Sequence, residues 1–262
     1  LSGMSREEAP GRHFQKEYKE GGTMEYYTRF KMELSALAGR MMGEKVRIVS
    51  AKSLSSDEAI GRPDRTDFPL LKGREVLMEA VFRGSRGHAF TDMPGEFQGT
   101  LRDIAGLALK TNFERALFIA ALNAVMRDAG RASNTVHCRD KAPRECARRL
   151  PAFVSGRFGR PRIAFVGYQP AMIEELSKSF ALRVVDLDQQ NIGGERFGLT
   201  IEGPENTGDI LSWGDIILAT GSTCVNGTIT SFLNRKPVVF YGVTVAGPAA
   251  IHGYDRFCPC SG

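Results

Sequence analysis

Apolar residues recur at helical spacing from Met24 to Met42, where Tyr27, Phe30, Leu34, Leu37, Ala38 and Met41 share one face and predict an opening helix. Val46–Val49 predicts a first strand, and the polar, turn-rich stretch from Ser53 to Pro69 a loop. Val76–Phe82 and His88–Thr91, joined through Gly84–Gly87, predict a hairpin. Two helices follow. Leu101–Leu109 is short, and the next, capped by Asn112, carries Phe113, Ala116, Leu117, Ala120, Ala121, Ala124 and Val125 as one apolar stripe before Gly130. Up to this point the pattern is that of an α+β unit.

After residue 130 the rhythm changes. Ile163–Val166, Val184–Leu187, Ile216–Ala219 and Val238–Tyr241 are short continuous apolar runs, as expected of strands buried on both faces of a parallel sheet. Helical stretches at Ala171–Phe180 and Val225–Leu233 separate them, so the fold class is α/β with a mostly parallel sheet flanked by helices. The expected organisation is a polar tail over 1–23, an α+β domain over 24–130 and an α/β domain over 131–262. Charge divides near the same place: 28 basic and 20 acidic residues precede residue 161, and seven and ten follow it. The basic stretch 127–160 lacks interleaved aromatic residues, so it predicts a solvated, partly helical connection and no nucleic-acid partner.

At 262 residues with 42% hydrophobic and 25% charged side chains, the chain can bury a core without disulfides or a structural metal. No apolar run reaches the ~20 residues of a membrane helix, so no membrane insertion is expected. LSGMSREEAP has no signal-peptide core, which makes the cytoplasm the default expectation. Five cysteines, an odd number without a C-x2-C pair, read neither as a disulfide framework nor as a structural zinc site.

Ligands of an open parallel sheet bind beyond the carboxyl ends of its strands, which singles out the loops after the apolar runs. Gly167-Tyr168-Gln169-Pro170 follows the first, with Pro170 suited to an opening helical turn. The G-x-G-x-x-G pattern is absent, which argues against an ordinary NAD enzyme. Asp186 stands where an acid can accept from ribose hydroxyls; alternatively, Asp188 simply caps the turn into Gln189. Thr220-Gly221-Ser222-Thr223-Cys224-Val225-Asn226-Gly227-Thr228 is dense in hydroxyl and amide groups, more than capping needs, and predicts a polar-ligand loop beside Gly242-Val243-Thr244. Outside the sheet, His137-Cys138-Arg139-Asp140 offers a base with a nucleophile, half a metal site, or ordinary capping. His88 reads as structural, and His252 carries no interpretable signal.

Several strings taken in order (GHAFT at 87–91, ALNAVMRD at 121–128, HCRD at 137–140, VGYQP at 166–170 and ATGSTCVNGTI at 219–229) resemble the family described as "putative heavy-metal chelation". The resemblance spans nearly all of the chain after residue 24. It implies an enolase N-terminal-like domain, then a Rossmann-like domain related to methyltransferase folds, with a site between them. Residue by residue it points to Asn123, His137, Cys138 and Asp140 as catalytic candidates. For ligand binding it points to Gly167, Tyr168, Pro170, Asp186, Thr220, Gly221, Ser222, Thr223, Asn226 and Thr228. The terminal Cys258-Pro259-Cys260 is not part of the shared pattern.

The implied activity is heavy-metal chelation, or a condensation or hydrolysis step in making flavin-, pterin- or siderophore-like molecules. No cofactor is specified and no metal site is assigned. The expected partner is a small polar or heterocyclic ligand, or a metal chelate, with His137 as acid/base and the 220–228 loop holding anionic or carbonyl groups. Two other readings are an adenosyl-methionine-dependent methyltransferase or nucleotide-binding enzyme, and a non-catalytic metal handler serving a transporter. Edge strands and apolar helix faces in need of cover make a homodimer the expected assembly.

Overall fold

The computed structural model describes residues 23–39, 48–73, 75–233 and 236–262. Helix α1 (Thr23–Ala38) buries Tyr27, Phe30 and Leu34 of the recurrence that predicted it, together with Tyr26. Met41 and the start of the expected strand at Val46 lie outside the described residues. Strand β1 (Ile48–Leu54) runs further than expected, into the predicted loop. That loop also holds α2 (Ser56–Ile60), started by a capping box in which Ser55 and Glu58 satisfy each other's backbone N–H groups.

Strands β2 (Val76–Phe82) and β3 (Ser85–Thr91) form the expected hairpin, in register from Val76 opposite Thr91 to Phe82 opposite Ser85. A short edge strand absent from the pattern, β4 (Glu96–Gly99), pairs with β1 and completes an antiparallel sheet of order β3-β2-β1-β4. Helix α3 (Leu101–Gly106) leads to α4 (Asn112–Asp128). The cap of α4 is Thr111, whose side chain accepts from the Glu114 N–H; Asn112 is instead the first helical residue and donates to Asp92. The expected single apolar stripe is also corrected, because every residue from Ala116 to Met126 is buried. Strands β2 and β3 cover one face of α4, and elements of the second half cover the other. A helix apolar all round is a buried helix. Alanines at 116, 120, 121 and 124 let backbones approach, and at Gly87 a Cβ would overlap the backbone of Ala120 and Ala124.

The second half begins with α5 (Ala142–Phe158), the helical part of the basic connection. Strand β5 (Ile163–Val166), helix α6 (Pro170–Ser177) and strand β6 (Leu182–Val185) are the first βαβ unit. A small hairpin of β7 (Glu195–Arg196) and β8 (Leu199–Glu202) comes next, then α7 (Thr207–Trp213) and β9 (Ile216–Thr220). The predicted helix over 225–233 is broken by Gly227 into α8 (Thr223–Asn226) and a 3-10 turn, Ile229–Phe232. Strand β10 (Val238–Tyr241), α9 (Ala246–His252) and β11 (Asp255–Phe257) complete the fold.

The strand order is β11-β10-β9-β5-β6-β8-β7, and every neighbouring pair is parallel except β7–β8. The chain therefore starts at β5, winds outward through β6 and β8, then returns to β9 on the other flank. Loops leaving β5 and β9 diverge, and that reversal opens a crevice at their carboxyl ends. Both faces of this sheet are covered. One packs with α1, α4 and the inner face of the first sheet, and the other, through Phe165, Val184 and Val239, packs against α5 and α6. No helix among the described residues is long and apolar enough to cross a membrane.

Candidate functional site

A cavity of about 780 Å³ occupies the crevice, within the range of small-molecule sites. The carboxyl ends of β5, β6, β9 and β10 form its floor through Gly167–Gln169, Asp186–Asp188, Thr220–Thr223 and Tyr241–Gly242. Its roof comes from the first half: Ile60, Phe68, Leu70, Glu75 and Phe90–Asp92. His137, Cys138, Cys146 and Cys258 close one side.

The β5–α6 turn needs glycine. Gly167 has φ +95°, and a Cβ there would stand 2.6 Å from Thr220 Cγ2 and 3.1 Å from the Tyr241 hydroxyl. Tyr241, stacked on Phe165, donates from that hydroxyl toward the carbonyls of Val166 and Gly167, both at 3.0 Å. Asp186 ties the neighbouring loop to this turn. Its carboxylate accepts the backbone N–H of Tyr168 (2.6 Å) and of Asp188 (2.8 Å), and the Asn191 side chain (3.2 Å). Burial raises its pKa and these bonds oppose the rise. Three of the roughly four acceptor positions of a carboxylate are thus already used by the protein.

In the β9 loop, the Thr220 hydroxyl donates to Ser222 Oγ and accepts the Ser222 N–H, each at 3.3 Å, while the Thr223 hydroxyl donates to the Thr220 carbonyl at 2.8 Å. Thr220, Gly221, Ser222, Thr223, Asn226 and Thr228 all line the cavity. Gly221 is required by packing, since a Cβ would stand 2.8 Å from the Val245 backbone nitrogen.

His137 enters from the segment after α4. Its backbone N–H donates to His88 Nδ1 (3.1 Å), and His88 Nε2 meets the Glu79 carboxylate (2.8 Å). Because His88 Nδ1 accepts, its proton sits on Nε2 and is donated to Glu79. His137 Nδ1 lies 3.1 Å from the Ala59 carbonyl, which makes it the donor and leaves Nε2 with a lone pair. Burial lowers the His137 pKa to about 4, so the ring is neutral at physiological pH. Burial likewise lowers His88, and lowers His252 to about 3.

These shifts fix the sign of a pH effect. The unfolded chain takes up protons at its histidines below about pH 6.5. Folded His137 does not until about pH 4, so its contribution to stability is complete above that window and is lost as pH falls through it. The slope is at most about 1.4 kcal/mol per pH unit for each histidine. Denaturation from about pH 7 to 4.5 should therefore show a shallower acid loss in His137→Asn than in the unaltered chain. Parallel profiles would contradict this.

Three of the residues singled out by sequence do not reach the cavity wall. Asn123 is fully buried on α4, with its amide nitrogen directed at the carbonyls of His88, Val243 and Thr244 and its oxygen accepting the Gly247 N–H. Asp140 is exposed at φ +57°; its carboxylate accepts the Arg62 N–H, and its own N–H donates to the Ile60 carbonyl. Pro170 opens α6 from a buried position.

Glu75 is a lining residue that the pattern did not reveal. Burial, then the carboxylates of Asp186, Asp188 and Asp92, push its pKa up to about 7. Nothing in its local sequence marks it, since only folding brings the head of β2 over the end of β6. No lysine or arginine lines the cavity among the described residues, whereas Glu75, Asp92, Asp186 and Asp188 all do. Nor does any group of three His, Cys, Asp or Glu side chains among the described residues stand together as a metal site.

No curated protein matches the chain. Two crystal structures resemble it over most of its length. A protein from Pyrococcus horikoshii is 18% identical, with 84% of this chain and 79% of that one covered and a TM-score of 0.50. A protein from Desulfitobacterium hafniense DCB-2 is 14% identical, with 87% and 84% covered and a TM-score of 0.51. Both are of unknown function, and at these identities the likeness is one of fold. Both also come from the family whose model matches this chain, so the resemblance carried by the motifs stands: residues 153–251, from α5 into α9, match the family described as "putative heavy-metal chelation".

Proposed function

We propose that the cleft binds a small polar molecule with a planar ring that is neutral or cationic, that Glu75 exchanges a proton with it, and that His137 accepts a hydrogen bond from it. The observation that carries this reading is the charge of the wall, four carboxyl side chains and no basic one among the described residues. Arg65, whose guanidinium lies over the ring of Phe68 in the roof, is committed to Asp67 and Glu174. A phosphate placed 4 Å from one such carboxylate would pay about 4 kcal/mol per charge pair at an effective dielectric of 20. Phe68, Leu70, Phe90, Met172 and Phe232 supply apolar area for a ring, and the hydroxyls and amides of the β9 loop supply its polar edge. Glu75, with a pKa of about 7, is suited to proton transfer near neutral pH, while neutral His137 offers the lone pair of Nε2 as a hydrogen-bond acceptor.

Among the ligand classes implied by the family resemblance, an uncharged pterin-like ring suits this wall better than a phosphorylated flavin or a polyanionic siderophore. Adenosyl-methionine, being a cation, is also compatible in charge, but Asp186 is largely occupied by the backbone of its own loops. Expectations of anionic groups held by the 220–228 loop sit poorly with the carboxylates opposite.

Charge-matched pairs test this. Thermal shift and native mass spectrometry with pterin, riboflavin and adenosine, each beside its phosphorylated form, should show the unphosphorylated member binding at least about tenfold tighter. Glu75→Gln should narrow that preference by about tenfold while the fold is retained, a change of about 1.4 kcal/mol. Tighter binding of the phosphorylated forms, or no binding by any member, would refute the proposal.

A further inference from the structure

Glu79 on β2 and His88 on β3 stand directly opposite each other in the hairpin register, and both are buried. Neither lines the cavity. A carboxylate and an imidazole kept in a core are expensive, and an apolar cross-strand pair would fill the same place without that expense. Their hydrogen bonds lead away from the hairpin, toward the cleft.

Glu79 Oε2 is where the chain of contacts begins. It accepts from His88 Nε2 at 2.8 Å, from Arg86 Nε at 2.6 Å and from the Arg86 terminal nitrogen. Burial pushes the Glu79 pKa up, but the bonds from His88 and Arg86 outweigh it and hold the carboxyl below its usual range. An acceptor-only carboxylate fixes the His88 proton on Nε2, which leaves the Nδ1 lone pair for the His137 backbone N–H at 3.1 Å. Two further bonds dock the same segment on β3. The His88 N–H donates to the Thr135 carbonyl at 3.0 Å, and the Thr135 hydroxyl donates to the Arg86 carbonyl at 2.7 Å.

The His137 ring is then held at two more points. Its Nδ1–H donates to the Ala59 carbonyl at 3.1 Å, and it meets the Phe90 ring edge-on, with centroids 5.2 Å apart and planes at 85°. With backbone, Nδ1 and ring face all engaged, Nε2 is the one polar ring atom left to a residue of the cavity wall.

We propose that Glu79 and His88 are positioning residues for the cleft: Glu79 sets the His88 tautomer, His88 holds the His137 backbone, and His137 Nε2 is thereby aimed at the ligand as an acceptor. This rests on the reading of His137 as a hydrogen-bond acceptor in the cleft, and it adds that the occupant presents an N–H or O–H donor there. His88, which the sequence reads as structural, thus acts on recognition through His137.

The test is long-range proton–nitrogen NMR of the labelled full-length protein, with variants that separate position from stability. In the unaltered chain the proton is expected on His88 Nε2 and on His137 Nδ1, with His137 titrating at about pH 4. His88→Leu removes the acceptor at similar volume. It should mix the His137 tautomers and move its midpoint up by at least about one pH unit, toward the ordinary value. The affinity for the tightest-binding of pterin, riboflavin and adenosine should fall about tenfold. His88→Asn, whose Oδ1 sits one bond beyond Cγ as Nδ1 does, should restore the His137 signature and bring affinity within about threefold of the unaltered chain. It should do so while losing stability as the leucine variant does, because both lack the bond to Glu79. Glu79→Leu should leave the His88 proton shared between its two nitrogens and the His137 signature mixed. A His88 proton on Nδ1 in the unaltered protein would overturn the proposal without any variant. So would a His137 signature unchanged in His88→Leu, or a His88→Asn variant that behaves like His88→Leu. The NMR measurements use no ligand, so if none of the three compounds binds the unaltered chain, the ring-binding reading falls and the tautomers still decide whether Glu79 and His88 set His137.

Discussion

Asn123→Ala is expected to destabilise the fold by about 3–5 kcal/mol, enough to lower the melting temperature by roughly 10 °C. The amide is fully buried, and it joins three pieces of backbone to α4. Its nitrogen serves the carbonyls of His88 on β3 (2.9 Å), Val243 (3.2 Å) and Thr244 (3.1 Å), and its oxygen receives the Gly247 N–H on α9 (2.7 Å). Truncation leaves that N–H and those carbonyls without their partner away from water, at about 1–3 kcal/mol for each group that stays unsatisfied. Asn123→Asp should not rescue, because it keeps an acceptor for Gly247 but offers no donors to the carbonyls. Urea denaturation of the three proteins measures this. A loss below about 1 kcal/mol for the alanine variant would show that water or backbone movement replaces the amide.

Gly167→Ala should weaken ligand binding in the cleft by tenfold or more while costing a few kcal/mol of stability. The φ of +95° is itself unfavourable for a residue with a side chain, at about 1–2 kcal/mol. The new methyl would stand 2.6 Å from Thr220 Cγ2 and 3.1 Å from the Tyr241 hydroxyl, so overpacking adds about 1–3 kcal/mol. Relief must come from displacing Thr220, the first residue of the loop that forms the polar floor. Combining it with Thr220→Ser removes the struck methyl and keeps the hydroxyl. That double variant should recover part of the binding but not the backbone strain. Calorimetry with whichever unphosphorylated ligand binds decides the matter; equal affinity in Gly167→Ala and the unaltered chain would mean that the β5–α6 turn does not shape the site.

The alternation of buried runs and helical stretches after residue 130 was enough to predict four strands of a parallel sheet, because strands covered on both faces need continuous apolar sequence. Their register neighbours were less legible. β7, β8 and β11 are two to four residues long, and edge positions tolerate the polar Glu195-Arg196 and Asp255-Arg256 that hid them. The α4 pattern revealed a helix but not its burial on all sides. Its alanines read as a stripe until β3 and the second sheet were seen to close on opposite faces.

Local chemistry determined which loops have the composition of a site: the glycine turn at 167, the acid at 186 and the hydroxyl-rich run from 220 are adjacent in sequence to strand ends, and strand ends converge in any parallel sheet. Tertiary structure alone decided what faces them. Glu75 acquires a raised pKa because folding buries it and sets it beside three carboxylates more than fifteen residues away in sequence. Asn123, chemically able to serve catalysis, is consumed by long-range carbonyls that no spacing rule can locate. Cys258 and Cys260 look like an isolated terminal pair until a backbone exchange between Val136 and Gly262 sets them beside Cys138. Sequence periodicity reports how each segment meets the core, since burial repeats with the backbone; which distant side chains share a charge field depends on chain crossings, and these leave no local trace.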